Sequence, residues 1–186
     1  MYIERALEPW VRRYSENFKI VAVTGPRQVG KTTMLKHLME EEAESGVDRV
    51  YVTLDNTAIL QTAKEDPALF LQRYRPPVLI DEIQKAPELL PYIKMIVDER
   101  DDCGSVWITG SQPLHLMKAV SESLAGRVGI VEMLGLSHSE VAGTPSEPYL
   151  PSADFFMRRV DMRRRHILNN VATSLASGGI LYGCRR

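Results

Sequence analysis

The nine residues GPRQVGKTT, Gly25 to Thr33, follow the apolar run Phe18–Val23. Gly25 through Thr32 fit the spacing G-x-x-x-x-G-K-[ST] in full, with a strand pattern before and a helix pattern after. Such a loop is built to hold phosphates. Its glycines let backbone N–H groups approach the β-phosphate without a Cβ in the way. The helix that follows adds the positive end of its dipole. The expected cradle is Gly25, Pro26, Arg27, Gln28, Val29, Gly30, Lys31, Thr32 and Thr33. Lys31 would reach the β- and γ-oxygens, and the Thr32 hydroxyl would meet Mg²⁺.

Outward from this loop the chain alternates strand and helix patterns. Residues 2–14 set Ile3, Leu7, Trp10, Val11 and Tyr14 at helical spacing, an amphipathic helix laid on the domain. Strands are expected at 19–23, 50–55, 78–82, 105–109 and 127–134. Helices are expected at about 31–42, within 57–74 with a start near Pro67, at 87–100 and at about 113–122. The near-continuous apolar strands suit a parallel sheet covered on both faces. This is a doubly wound α/β pattern, in which nucleotides bind at the C-terminal edge of the strands.

Two carboxylates close the third strand, Val78-Leu79-Ile80-Asp81-Glu82. Asp81 at the strand tip can hold the Mg²⁺ shell. Glu82 is placed to take a proton from an attacking water, which argues against a kinase that must exclude water. The fourth strand ends in Thr109-Gly110-Ser111-Gln112. If it lies between the first and third strands, Thr109, Ser111 or Gln112 could orient water beside the γ-phosphate; Ser111 before Pro113 is equally a helix start. Arg127 precedes the fifth strand, at the edge away from the loop. It either reaches a neighbouring subunit's phosphate as an arginine finger or pairs with a local carboxylate.

Composition sets the remaining bounds. The chain of 186 residues is 44% hydrophobic and 25% charged with net charge −1, which gives no global argument for nucleic acid or membrane. From Pro151 onward seven arginines face two aspartates, a basic segment able to contact nucleic acid or a protein partner. Cys103 and Cys184 form no CxxC, and the four histidines form no HExxH, so neither a disulfide framework nor a zinc site is expected, and a reducing cytoplasm fits. No apolar run approaches membrane-spanning length, and the N-terminal residues do not read as a signal peptide. The expected organisation is a domain over 1–140, a turn-rich linker over 141–154 and a basic segment over 155–186.

The stretches GPRQVGKTT, YVTLDN, VLIDEIQKAPELL, WITGSQ and SLAGRV together resemble the prokaryotic AAA-type ATPases that usually carry a C-terminal domain with a nuclease-like fold. The likeness runs from about Tyr2 to Glu140. It implies a P-loop NTPase of the additional-strand class with strand order 5-1-4-3-2, ATP and Mg²⁺ as ligands, and Glu82 as the catalytic carboxylate. It marks Arg27 and Gln28 as features of the loop, and Asp55 as support for Mg²⁺ beside Asp81 or as a helix cap. Residues 155–186 would then be at most the start of the second domain. The expected function is Mg²⁺-dependent hydrolysis of ATP by water, possible in a homo-oligomer; the alternative is an ATP-gated binding module with negligible turnover.

Overall fold

A computed structural model describes residues 2–111 and 123–143. The elements are α1 (Glu8–Asn17), β1 (Ile20–Thr24), α2 (Lys31–Glu44), β2 (Val50–Thr53), α3 (Thr57–Glu65) and α4 (Pro67–Arg73). They continue with β3 (Val78–Asp81), a 3₁₀ turn (Ile83–Lys85), α5 (Leu89–Asp98), β4 (Val106–Gly110), β5 (Val128–Glu132) and α6 (His138–Val141). All five strands are parallel, in the order β2-β3-β4-β1-β5. The expected order 5-1-4-3-2 is therefore observed, and β4 lies between β1 and β3. The helix expected at 113–122, most of the linker and the basic segment lie outside the described residues.

Strand alternation divides the core between two faces. Ile20, Ala22, Ile80 and Ile108 face one side and meet Phe70, Leu90, Ile93 and Val97 from α4 and α5. Val21, Val23, Leu79 and Trp107 face the other and meet Met34, Leu35 and Leu38 of α2. Each fully buried aliphatic side chain of this kind stabilises the domain by about 1.5–3 kcal/mol. The Trp107 indole N–H donates to Ser15 Oγ at 2.9 Å, and the Arg49 guanidinium lies 3.9 Å from its ring centroid.

The start of the first helix differs from the sequence expectation. It lies at Glu8, not near residue 2. Pro9 has no N–H for the carbonyl of residue 5, and its ring would clash there, so the helix cannot extend back through Arg5. Trp10, expected on the apolar face, is 46% exposed. The helix start expected near Pro67 is observed: within 57–74, Asp66 ends α3 and caps α4 by accepting from the Leu69 N–H at 2.9 Å. Among the described residues no helix is long and apolar enough to cross a membrane.

Candidate functional site

The loop between β1 and α2 hangs from the C-terminal end of a central strand. Gly30 (φ +93°) stands at the N-cap of α2, and Gln28 also has positive φ (+62°). Gly25 (φ +139°) passes against the chain after β5: a Cβ there would lie 2.0 Å from the Met133 carbonyl oxygen. A cavity of about 470 Å³ opens at this edge, lined by Arg27, Gln28, Gly30, Lys31, Thr32, Thr33, Asp55, Glu82 and Lys85.

Lys31 is 6% exposed, and its ammonium donates to the carbonyls of Gly25 (3.0 Å) and Pro26 (2.7 Å). Burial pulls its pKa down, opposed by the fields of Glu82 and Asp81. Asp81 is buried at the tip of β3 and accepts three hydroxyl hydrogen bonds. Thr32 Oγ1 donates to Oδ1 at 2.9 Å, Thr109 Oγ1 donates to the same oxygen, and Tyr51 OH donates to Oδ2 at 3.1 Å. Burial and the Asp81 charge push the Tyr51 hydroxyl up to about 12, so it stays a donor at neutral pH.

Glu82 follows in the left-handed region (φ +61°, ψ +43°), a costly conformation for a residue with a Cβ and one that concentrates at functional sites. Its backbone N–H donates to Thr109 Oγ1 at 3.2 Å. Its Oε2 accepts from Ser111 Oγ at 3.1 Å and from Gln84 Nε2. Gln84 Nε2 also reaches Ser111 Oγ at 3.2 Å, while Gln84 Oε1 is buried with no hydrogen-bond partner among the described residues. Of the three candidates for orienting water, Thr109 thus touches Asp81, Ser111 touches Glu82, and Gln112 lies outside the described residues. Asp55 pairs with Lys85 at 2.5 Å, and the cap of α3 is Asn56. Arg127 stands before β5, at the opposite end of the strands, in a two-pronged ion pair with Asp98 that holds that carboxyl below its usual range.

Oxygen donors suit a hard cation. Thr32 and Asp81 converge, and Mg²⁺ typically takes only one or two protein carboxylates, completing its shell with waters and phosphates. Among the described residues no three His, Cys, Asp or Glu side chains converge to hold a metal by themselves. The donor set therefore fits Mg²⁺ bound together with a phosphate ligand.

Tyr51, Gln84 and Arg5 were not among the residues marked from sequence. Arg5, 6% exposed, clasps the loop from outside: Nη1 donates to Val29 O and Nη2 to Leu134 O, both at 2.8 Å, and Nε pairs with Glu140 at 3.0 Å. Burial alone would raise the Glu140 pKa. Hydrogen bonds from the Ser137 and Ala6 backbone and from Arg5 outweigh it and hold the group at about 2. A folded-state pKa below the unfolded value contributes stability that is present above the ordinary carboxylate pKa, near 4.5, and is lost as pH falls toward 2. Glu140→Gln is expected to cost about 1–3 kcal/mol at pH 7. Urea midpoints of parent and variant should converge below pH 4; a gap constant from pH 7 to pH 3 would refute the clasp's electrostatic role.

An uncharacterized protein of Mycobacterium bovis and another of Mycobacterium tuberculosis are each 33% identical over 137 residues, 74% of this chain. That region is 30% of either relative's length, so the chain spans under a third of the curated relatives it matches. Among solved structures, AMPPCP-bound DnaA from Aquifex aeolicus aligns with TM-score 0.50 at 17% identity, covering 68% of this chain and 44% of that one. The DnaC helicase loader aligns with TM-score 0.49 at 15% identity, covering 72% and 94%. At such identity the likeness to DnaA is one of fold, the P-loop NTPase fold. A family model described as an AAA domain matches residues 17–142, the span from the end of α1 through α6, and the chain belongs to that family.

Proposed function

We propose that this domain binds Mg²⁺·ATP at the Gly25–Thr33 loop and hydrolyses it to ADP and phosphate. The observation that carries the reading is the meeting of Lys31, the Thr32–Asp81 pair and Glu82 at one sheet edge beside one cavity. ATP is taken as the nucleotide because the family's fold is shared with DnaA, a structure of which holds the ATP analogue AMPPCP.

In this mechanism the Lys31 ammonium exchanges the Gly25 and Pro26 carbonyls for phosphate oxygens. Loop amides and the α2 N-terminus stabilise the charge that develops on the transferred phosphoryl group. Thr32 and Asp81 would hold the Mg²⁺, which would supply positive charge to offset that of the phosphates. Glu82 takes the proton of the attacking water, with Ser111 and Gln84 fixing the direction of its carboxylate. A neighbouring subunit is the route by which Arg127 would reach a phosphate, and Asp98 must then release it.

One observation favours the second reading, an ATP-gated binding module with negligible turnover. Both the Lys31 ammonium and the Glu82 carboxylate are engaged by groups of the protein itself. Phosphate release measured beside ATP affinity separates the readings. Lys31→Met is expected to weaken Mg²⁺·ATP binding by about 100-fold or more, since it removes a buried charge partner of the phosphates. Binding without phosphate release would select the switch. A parent chain that binds no nucleoside triphosphate would refute both.

A further inference from the structure

Tyr51 sits in β2 on the face that carries Leu79 and Asp81, two residues apart on the neighbouring strand. The register pairs Tyr51 with Leu79 and Thr53 with Asp81. A tyrosine is long enough to reach diagonally across a parallel pair, and here its hydroxyl donates to Asp81 Oδ2 at 3.1 Å. Lys36 of α2 covers the ring at 3.8 Å from its centroid. The opposite carboxylate oxygen, Oδ1, is already taken by Thr32 and Thr109.

We infer that Tyr51 is a positioning residue for the cation site: its hydroxyl locks the Asp81 carboxylate in the orientation that serves Mg²⁺ bound with the nucleotide. This rests on the nucleotide reading of the loop. Three donors from β2, α2 and β4 fix both oxygens of one carboxylate. Without Tyr51, Oδ2 loses the only donor described for it, and the group gains freedom to rotate about its Cβ–Cγ bond. Outer groups that orient a ligand carboxylate typically govern metal affinity by about 10- to 100-fold. Asp55, the other candidate for this support, has its carboxylate on Lys85.

The test is the Mg²⁺ dependence of nucleotide binding by the full chain. A fluorescent non-hydrolysable ATP analogue is titrated in EDTA and then at rising Mg²⁺, with the parent, Tyr51→Phe and Lys36→Met. Tyr51→Phe keeps the ring and its place under Lys36 and removes only the donor. The expected result is a Mg²⁺ midpoint raised by about tenfold, with affinity in EDTA within about twofold of the parent. Lys36→Met, which disturbs the ring's cover and leaves the hydroxyl, should hold the parent midpoint. Coincident midpoints for parent and Tyr51→Phe, with enhancement by Mg²⁺ in both, would overturn the positioning role alone. Equal shifts in Tyr51→Phe and Lys36→Met would also overturn it, assigning the effect to ring packing. A parent that binds the analogue with no Mg²⁺ enhancement would overturn the cation site itself, and one that does not bind would overturn the nucleotide reading.

Discussion

Glu82→Gln is expected to leave Mg²⁺·ATP affinity near that of the parent and to lower phosphate release by about 10²- to 10⁴-fold, the usual contribution of a positioned general base. The substitution is close to isosteric. A glutamine at this position can keep its amide oxygen toward Ser111 Oγ and Gln84 Nε2, the donors that now reach Glu82 Oε2. The backbone at φ +61° is no more costly for Gln than for Glu, and its N–H still donates to Thr109. Stability should therefore change by no more than a few tenths of a kcal/mol. What is lost is the capacity to accept a proton. Single-turnover phosphate release beside equilibrium binding checks the prediction. Equal release rates would show that Glu82 is not the base; a parallel loss of binding would move its role to ligand capture.

Gly25→Ala is expected to destabilise the domain by about 3–5 kcal/mol, at the severe end for a single methyl group. Two independent costs combine there. The backbone has φ +139°, which residues with a Cβ rarely adopt, and the added carbon would meet the Met133 carbonyl oxygen at 2.0 Å. Neither party can yield cheaply. Met133 is held by its own N–H, which donates to Thr24 O at 2.8 Å, so relief means prising the end of β5 from β1 or displacing the loop. Gly46 supplies the control: its φ is +91° but nothing lies within 4 Å of an added Cβ. Gly46→Ala should cost only about 1–2 kcal/mol, the penalty of the left-handed conformation itself. Urea midpoints for both variants decide the matter; equal midpoints would place the whole Gly25 cost in backbone conformation.

Gly25 also illustrates what a sequence can and cannot disclose. Its place in the motif was readable, and so was a reason for it, the approach of backbone amides to phosphate. The second reason, Met133 lying more than a hundred residues away, needs the folded chain. The same division runs through the site. The loop, Asp81-Glu82 and the strand pattern were legible because each is a local run whose chemistry follows from neighbouring residues. The full strand order came from family resemblance. Tyr51, Gln84 and Arg5 were silent because their roles depend on which distant atoms face them. Arg5 reads as one charge on the polar side of an amphipathic helix, yet Pro9 delays the start of that helix to Glu8 and leaves Arg5 free to turn inward to Val29, Leu134 and Glu140.

The position of β1 has a consequence for how the molecule comes into being. Its two neighbours in the sheet, β4 and β5, are the last of the described strands to be made, whereas β2 and β3 can pair with each other earlier. During synthesis β1 therefore waits with both edges bare, and closing such long loops is entropically slow. The phosphate loop inherits that delay, because the carbonyl against which Gly25 nests arrives only with Met133. A nascent chain stopped short of β5 would offer β1 as an open edge for the wrong partner. On the nucleotide reading, competence is an end-point of folding, acquired when β5 closes against β1.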